Sequence, residues 1–466
     1  MPAKVILSVT EGPIQGTLYT FEEHDTFIFG RASDCHARLS PDDTTASRHH
    51  FILEANPPDA RLRDLGSLNG TYVNDVKYGG RASDETPEQA ATRRFPEIDL
   101  KHGDTINVGD TVFEVQIESQ VAAVPIDFHV LQTEVSSPEV MRCGLCGKDV
   151  EAEVGSNRRG DYICHSCQQK VQSDPAIVVV HELRAHDRDP TRPNDIAGYN
   201  LECKLGEGGM GAVYLGRNVI TGETAAIKVM LAKVAVDEDS RQRFQREIEV
   251  TRQLRHTNIV LLIEQGSTGS GFYFVMEFCS GGDLDDLIER HGGRVPLSEA
   301  APVMLNALDG LAYAHSQGCI HRDIKPQNIL LAGQFGEIAK ISDFGLAKNF
   351  QQAGLSGMTA TGMMAGSLAF MSRDQLVNFK YAKPVSDVWS MGATFYYMLT
   401  GRPPRDFPVG QDPVAVILNR NVVPITDRNA SIPEKVAVVI DRATTDNVKQ
   451  RYQTAREFRE ALAAAL

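Results

Sequence analysis

Two short motifs near the middle of the chain carry residues whose types and spacing suit phosphate chemistry. The first, His321 to Asn328, reads HRDIKPQN, and the second, Asp343-Phe344-Gly345, begins fifteen positions after Asn328. Pro326 disfavours a continuous helix, so the first motif is predicted to be a shaped loop. Such a loop can direct the Asp323 carboxylate at a hydroxyl group, while Asn328 and Asp343 supply the oxygen ligands that Mg²⁺ prefers. Phosphoryl transfer requires these parts.

In this order and spacing, the two motifs resemble the catalytic and metal-binding loops of eukaryotic-type protein kinases. The resemblance implies that Asp323 accepts or orients the proton of a substrate hydroxyl and that Lys325 neutralises the γ-phosphate of ATP. It also implies that Asn328 and Asp343 hold Mg²⁺ or Mn²⁺. Tyrosine kinases lack a lysine at the position of Lys325, so serine and threonine are the expected acceptors.

The resemblance assigns regulatory roles to residues around the same loop. Arg322 is expected to bind a phosphate on the activation loop, with Thr359 and Thr361 as candidate autophosphorylation sites, although these could be ordinary exposed hydroxyls. Asp387 is expected to support the catalytic loop. Where the family has Ala-Pro-Glu, this chain has Ser372-Arg373-Asp374, so we predict that Asp374 pairs with Arg451 over a shorter reach, in a strained or looser contact.

A glycine motif and a lysine precede the central loop. Gly206, Gly208 and Gly211 match GxGxxG, which alone could equally indicate a dinucleotide-binding turn. That alternative requires a helix next, whereas the following residues predict two strands and a hairpin. Lys228 ends the second strand, and Glu247 lies beside the apolar stripe of a predicted helix, so the resemblance implies a Lys228–Glu247 ion pair. The further ATP contacts that it implies come from Leu205, Val213, Ala226, Glu277 and Cys279.

The likeness to a serine/threonine protein kinase is nearly continuous over residues 199–466, which predicts the bilobal α+β kinase fold. Two other functions remain open. A pseudokinase scaffold is disfavoured by the complete set of candidate catalytic residues, and only Asp374 and its neighbours favour it. A small-molecule kinase is disfavoured by the activation loop and by Lys325.

Short β-prone runs recur between turn signals over about the first 118 residues and predict an all-β sandwich. The runs are KVILSV, GTLYTF, FIFG, HFILEA, ARLRDL, TYVN, TINVG and TVFEV. The polar segment from Gly79 to Pro96 is predicted to be a mobile insertion.

Three loops of this region carry residues that suit a phosphate ligand. Arg31 can form two charge-assisted hydrogen bonds, Ser47 can donate a third, and Asn69 can hold a peptide backbone. The loops resemble those of the forkhead-associated domain, which binds phosphothreonine peptides, and this resemblance adds Arg48. It also implies that His50 ties two loops together. Leu68 departs from the usual Ser or Thr, and Arg31 and Asn69 could instead be ordinary turn residues.

Four cysteines form two CxxC pairs separated by 17 residues: Cys143, Cys146, Cys164 and Cys167. This spacing is typical of a tetrahedral structural Zn²⁺ site, and unrelated core thiols are the weaker alternative. The remaining cysteines are scattered, which indicates reduced thiols and not a disulfide framework.

Composition limits the partners. A net charge of −14 argues against nucleic acid or an anionic membrane as the main partner, and no apolar run is long enough to span a bilayer. We therefore expect a soluble cytoplasmic protein whose partners are Ser/Thr-containing substrates and phosphothreonine peptides, including its own activation loop.

The expected organisation is multidomain. It comprises a forkhead-associated-like sandwich (1–118), a linker (119–140), a small Cys₄ zinc module (141–172), a second linker (173–198) and a kinase domain (199–466). Contact between the first and last domains could form within one chain or between two.

Overall fold

The structure is a computed structural model that describes most of the amino-terminal and carboxyl-terminal regions. The described residues are 3–22, 25–82, 84–90, 93, 95–118, 195–196, 198–208, 211–231, 248–249, 251–267, 271–333, 336–344, 368–377 and 382–466. The chain forms two compact units, of which the larger comprises residues 1–119, 237–261 and 279–466 and the smaller residues 120–236 and 262–278. Within the described ranges, no helix combines the length and the apolar character needed to cross a membrane.

The amino-terminal domain consists of two β-sheets. Its strands are β1 (Lys4–Glu11), β2 (Leu18–Phe21), β3 (Asp25–Gly30), β4 (Ala37–Arg38), β5 (Phe51–Asn56), β6 (Asp59–Asp64), β7 (Thr71–Val73), β8 (Val76–Tyr78), β9 (Glu97–Asp99), β10 (Thr105–Val108) and β11 (Thr111–Glu118). One sheet has the order β2-β1-β11-β10-β7-β8, and the other has the order β4-β3-β5-β6-β9. All eight runs that predicted strands contain strands, so this part of the prediction is confirmed.

Alternating side chains of both sheets form the core of the sandwich. Val5, Leu7 and Val9 of β1 are buried, as period-two alternation requires. Phe29 stacks on Phe51 with ring centroids 4.4 Å apart. Both rings belong to the same sheet and contact Phe113 of the other sheet, with ring centroids 5.7 and 6.3 Å apart, so aromatic contacts join the two sheets.

The described part of the segment between β8 and β9 contacts the sandwich at two points, and its mobility stays a prediction. It contains the short helix α1 (Pro87–Ala90), and Ala90 has no exposed surface. Arg81 donates to the Gly66 carbonyl at 2.8 Å. A Cβ on Gly66 would lie 3.0 Å from that of Ala90, so the two small residues permit this close approach.

The smaller unit is built on one antiparallel sheet of order β12-β13-β14-β15-β17-β16. Its strands are β12 (Asp195–Ile196), β13 (Tyr199–Gly208), β14 (Gly211–Asn218), β15 (Thr224–Leu231), β16 (Leu262–Ser267) and β17 (Gly271–Glu277). Ala212, Ile227 and Val275 are among the residues of its buried core. Two strands follow the glycine motif in place of a helix, which confirms the preference for a hairpin over a dinucleotide-binding turn.

The carboxyl-terminal part of the larger unit is mainly helical. Its helices are α2 (Leu284–Arg290), α3 (Leu297–Ser316), α4 (Arg373–Val377), α5 (Pro384–Thr400), α6 (Pro413–Asn419), α7 (Ile425–Arg428), α8 (Glu434–Ala443) and α9 (Ala455–Ala465), with a strand pair β18 (Ile329–Ala332) and β19 (Ile338–Ile341). Helix α5 is buried over most of its length, and its Trp389 has no exposed surface. We call this region the helical lobe.

The predicted Asp374–Arg451 ion pair is confirmed. Arg451 Nη2 lies 2.9 Å from Asp374 Oδ1, and the hydroxyl of Ser386 donates to the other carboxylate oxygen at 2.7 Å. Burial alone would raise the pKa of Asp374, but Arg451 and the hydrogen bonds hold that pKa below its ordinary value. The shorter aspartate therefore forms a contact of ordinary hydrogen-bond length in place of the predicted strained or looser one.

Several predicted elements lie outside the described residues. They are the four-cysteine module, the first linker, residues 173–194 and 197 of the second linker, Glu247, Gly345 and the candidate phosphorylation sites Thr359 and Thr361.

Candidate functional site

One buried carboxylate supports the central loop from below. Asp387 of α5 has no exposed surface, and its two oxygens accept hydrogen bonds from the backbone N–H groups of His321 and Arg322, each at 2.8 Å. His315 of α3 contributes a third contact at 2.8 Å. Burial would raise the pKa of Asp387, but the hydrogen bond from His315 and the neighbouring groups keep it below its ordinary value. The predicted support of the loop by Asp387 is confirmed.

His321 links this loop to the second motif. Its Nε2 lies 2.8 Å from the Ser342 carbonyl, and its Nδ1 accepts from the backbone N–H of Asp323 at 3.2 Å. A carbonyl partner requires a proton on Nε2, and an N–H partner requires a lone pair on Nδ1. Burial lowers the pKa of His321, which agrees with this neutral form. The ring therefore positions Asp323 relative to the residue that precedes Asp343.

Three candidate catalytic residues converge in the loop. Lys325 Nζ donates to Asp323 Oδ2 at 2.9 Å, and the Asn328 amide donates to the same oxygen at 3.1 Å. Asn328 also binds the Asp323 backbone carbonyl at 2.7 Å. The carboxylate is 13% exposed and is oriented from two sides, so it can accept a proton at a defined position.

The loop region also carries two oxygen-bearing side chains, Asn328 and Asp343, of the kind that a divalent cation binds. The Asn328 carbonyl accepts from the backbone N–H of Ser342 at 2.9 Å, which brings Asn328 beside the residue preceding Asp343. Arg322 and Asp343 have positive φ values of 66° and 58°, an uncommon conformation for residues other than glycine and one often found at functional sites. With its amide nitrogen bonded to Asp323, Asn328 can offer its side-chain oxygen to a metal. Asn328 and Asp343 therefore form a donor set that fits Mg²⁺.

The smaller unit aligns several candidate nucleotide-binding residues in its sheet. Val213 of β14 pairs with Gly206 on one side and with Lys228 on the other. Ala226, two positions before Lys228 on β15, pairs with Met276 of β17. Lys228 is half-buried, and Leu205 is 45% exposed. These residues therefore occupy neighbouring rows of one sheet.

Glycine is required by the fold at one position of the motif. A Cβ on Gly211 would lie 1.8 Å from the Val229 carbonyl, whereas a Cβ on Gly206 would meet no atom within 4 Å. The backbones of β14 and β15 thus approach too closely at Gly211 for any side chain. Gly208 pairs with Gly211 across the hairpin. Glu277 ends β17, and Cys279 is buried.

The amino-terminal domain brings its three predicted ligand loops together. His50 is fully buried, accepts from the backbone N–H of Ser47 at 3.0 Å and lies 3.1 Å from the Gly70 carbonyl. The predicted role of His50 as a tie between loops is confirmed, and burial lowers its pKa, as a neutral ring requires. The Ser47 hydroxyl accepts from the backbone N–H of Leu68 at 2.8 Å, and the Asn69 amide donates to the Thr45 carbonyl at 2.8 Å.

The arginines belong to the same cluster of loops. The backbone N–H of Arg31 donates to the Ser47 carbonyl at 3.1 Å, and that of Ala32 donates to the Arg48 carbonyl at 3.0 Å. A Cβ on Gly30 would lie 2.2 Å from the Arg48 carbonyl, so Gly30 permits this approach. Arg48 and Asn69 are exposed, while Arg31 and Ser47 are half-buried. The four predicted phosphopeptide residues thus lie on adjoining loops with an open face.

Sequence analysis did not identify one residue that contacts the central loop. Gln375 of α4 is 2% exposed, and its amide donates to the Arg322 carbonyl at 2.6 Å. In the sequence, the only indication of this contact was the position of Gln375 directly after Ser372-Arg373-Asp374. Gln375 joins α4 to the residue that precedes Asp323.

Comparisons with known proteins agree with these two regions. Residues 199–462 match the model of the protein kinase domain, and residues 27–109 match that of the FHA (forkhead-associated) domain. Serine/threonine-protein kinase PknJ of Mycobacterium tuberculosis is 36% identical over 275 residues, covering 58% of this chain and 46% of PknJ. Serine/threonine-protein kinase pkn2 of Myxococcus xanthus is 32% identical over 264 residues, covering 56% of this chain and 31% of that protein. The chain therefore spans less than half the length of these relatives.

Proposed function

This chain belongs to the protein kinase family, and from that premise we propose that it transfers the γ-phosphate of ATP to serine and threonine hydroxyls of proteins. The observation that carries the proposal is the arrangement around Asp323. Its carboxylate is oriented by Lys325 and Asn328, and its backbone is anchored through His321. The names of the bacterial relatives support the choice of serine and threonine.

In the proposed reaction, Asp323 orients the acceptor hydroxyl and receives its proton, while Lys325 balances charge on the transferred phosphate. Asn328 and Asp343 would hold Mg²⁺, which neutralises charge on the phosphates of ATP. Lys325 Nζ contacts Asp323 directly at 2.9 Å, which supports this role because its positive charge stands beside the proposed base. The protein contributes position and charge, and little covalent chemistry.

The smaller unit would bind the nucleotide. Backbone amides near Gly206, Gly208 and Gly211 would contact the phosphates, and Lys228, with Glu247 as its partner, would contact the α- and β-phosphates. The shared sheet rows of Val213 and Lys228 support this assignment. The residues proposed to surround adenine are Leu205, Val213, Ala226, Glu277 and Cys279.

The first prediction concerns acceptor class and metal dependence. With Mg²⁺ and ATP, the wild-type protein should phosphorylate a peptide library that contains serine and threonine, and should leave a matched tyrosine library unmodified. The Asp343→Asn variant should lose most of this activity because it lacks one anionic metal ligand. Incorporation of labelled phosphate measures both effects. Equal activity of wild type and variant would contradict the role of Asp343, and preference for the tyrosine library would contradict the proposed acceptor.

For the FHA domain, we propose binding of phosphothreonine peptides by Arg31, Ser47, Arg48 and Asn69. Convergence of three loops on one open face supports this function. Candidate ligands include Thr359 and Thr361 after autophosphorylation, to which Arg322 would also respond. The cysteine spacing supports a separate proposal of structural Zn²⁺ at Cys143, Cys146, Cys164 and Cys167, which remains a prediction, as does a cytoplasmic location.

The second prediction tests the FHA site. Arg31→Ala should weaken binding of a phosphothreonine peptide about 10- to 100-fold, because charge-assisted hydrogen bonds contribute about 1.5–3 kcal/mol each. Isothermal titration with the phosphorylated peptide and its unphosphorylated form measures this loss. Arg38→Ala is the matched control, since Arg38 is an exposed arginine of the adjacent strand β4. Equal affinities for the two forms of the peptide in the wild-type protein would contradict phosphothreonine recognition.

A further inference from the structure

The outer face of one FHA sheet is buried, although a sandwich usually exposes this face to water. Ile28 of β3 pairs with Ile52 of β5, and Ile52 pairs with Arg63 of β6, so the three form one row across the sheet. Their chain neighbours, such as Phe29 and Leu62, belong to the sandwich core, so the row points to the opposite side. Ile28, Ile52 and Arg63 are nevertheless only 0%, 7% and 2% exposed.

The helical lobe covers this row. Ile28, Ile52 and Leu65 share one apolar cluster with residues from α4, the turn before it and α6. We call the lobe side of this cluster the α4–α6 platform. Its buried members are Leu368, Met371, Leu376, Val377, Val414, Ile417 and Leu418. Without the FHA domain, the parts of these side chains that it covers would be exposed to water.

A buried ion pair joins the FHA sheet to the helical lobe at one defined point. Asp412 caps α6 by accepting from the backbone N–H of Val414 at 3.0 Å, and its other carboxylate oxygen accepts from Arg63 Nη1. Both charged residues are 2% exposed. Isolated burial of either charge would be costly, and their contact offsets that cost, with Glu97 3.9 Å from Arg63 Nε as a further neighbour. This pairing of one FHA residue with one lobe residue identifies a specific interface within the chain.

The platform adjoins the central loop. Gln375 of α4 contacts the Arg322 carbonyl at 2.6 Å, and the next two residues, Leu376 and Val377, pack in the interface cluster. Arg373 donates to the Ile417 carbonyl at 3.0 Å and so joins α4 to α6. The FHA domain therefore sits on a surface that is one hydrogen bond away from the residue preceding Asp323.

We propose that the FHA domain of the same chain covers the α4–α6 platform. In this docked position it blocks the access of folded protein substrates to Asp323 but lets short peptides reach it. The inference rests on the proposed kinase activity. A domain of about 100 residues has a radius of gyration of about 13 Å, enough to obstruct a folded protein beside the loop, whereas a short extended peptide needs little space. Arg48 and Asn69 stay exposed in the docked arrangement, so the phosphopeptide loops are open to a ligand.

The third prediction compares one acceptor sequence in two forms, as a free peptide and fused to a folded carrier protein. A folded substrate reacts only with undocked molecules, so its rate falls in proportion to their fraction. If about one molecule in ten is undocked, the wild-type protein should modify the fused acceptor about tenfold more slowly. Equal rates for the two acceptors in the wild type would overturn the proposal without use of any variant.

Arg63→Asp should open the cover, because it places a second carboxylate against the buried Asp412. We expect faster hydrogen exchange of the α6 amides, a fused-acceptor rate close to the free-peptide rate, and an unchanged free-peptide rate. Arg61→Asp is the matched control: Arg61 lies on the same strand and face, but its partners Asp99 and Glu97 both belong to the FHA domain, and it is 23% exposed. The Arg61→Asp variant should keep the wild-type ratio of the free-peptide rate to the fused-acceptor rate.

Other outcomes separate the alternatives. Loss of activity toward both acceptors in a folded Arg63→Asp protein would show that docking supports the lobe and would overturn the proposal. Unchanged exchange at α6 would overturn the interface itself, and this readout needs no kinase activity. Failure of the wild type to modify the free peptide would instead contradict the proposed function. If the difference between the free-peptide rate and the fused-acceptor rate disappears when the protein is diluted, the covering FHA domain belongs to a second copy of the chain. That result would overturn docking within one chain.

Discussion

Replacing Asp323 with asparagine is expected to lower the rate of phosphate transfer by about 10²- to 10⁴-fold, the usual contribution of a positioned general base. Asparagine keeps the size of the side chain and an oxygen that can accept from Lys325 or Asn328. It cannot accept the hydroxyl proton at neutral pH. The loss should therefore appear in kcat for the peptide acceptor, with little change in the KM for ATP and in the thermal unfolding temperature.

The matched control is Asp427→Asn, since Asp427 is exposed on α7 of the same lobe. Its kcat should equal that of the wild type. A folded Asp323→Asn protein with at least half of the wild-type kcat would show that this carboxylate does not act on the substrate. Catalysis by the remaining groups of the loop would then have to be considered.

The second large effect is on stability. Asp387→Asn should lower the free energy of unfolding by about 3–5 kcal/mol, as expected when one partner of a buried charged network is removed. An amide has one acceptor oxygen, so it cannot satisfy the donors of His315, His321 and Arg322 together. For a domain of this size, the corresponding fall in unfolding temperature is about 10 °C. Differential scanning calorimetry measures it.

This contribution should depend on pH in a defined direction. The pKa of Asp387 is lowered by folding, so its stabilisation is complete above the ordinary aspartate pKa of about 4 and is lost as the pH falls through the folded value. The difference between wild type and Asp387→Asn should therefore be constant near neutral pH and shrink in acid.

The control for this effect is Asp406→Asn, because Asp406 is 53% exposed and pairs with Arg428 at the surface. It should change the free energy of unfolding by less than about 1 kcal/mol. An Asp387→Asn protein as stable as this control would contradict the role of the buried carboxylate as the support of the loop.

Local patterns predicted the parts of the fold that depend on nearby residues. The strands of the sandwich followed period-two alternation and turn signals, and the hairpin after the glycine motif followed the same rule. The tie between loops by His50 and the Asp374–Arg451 ion pair were predicted from the family resemblances, which relate residues that are distant in the sequence.

Such local patterns could not predict the contacts between domains. Arg63 and Asp412 are 349 positions apart, and neither belongs to a motif. The local signals were the runs Phe27-Ile28-Phe29 in β3 and Phe51-Ile52-Leu53 in β5, where apolar residues occupy both faces of a strand. Gln375 had no signal of its own, because an amide on a short helix is as typical of a solvated surface as of a contact with a loop. The contacts of Arg81 and Ala90 in the segment between β8 and β9 were not predicted, because the composition of that segment is polar and Ala90 is small.

The central claim is that this chain transfers phosphate from ATP, and its most direct test needs no assumed substrate. Purified wild-type protein, incubated with Mg²⁺ and ATP, would be compared by intact mass and phosphopeptide mapping with the Asp343→Asn variant treated identically. We predict that only the wild type gains phosphate and that Thr359 or Thr361 is among the modified residues. No gain of phosphate by folded wild-type protein, with Mg²⁺ or Mn²⁺, would contradict the account and favour a scaffold that binds phosphopeptides without catalysis.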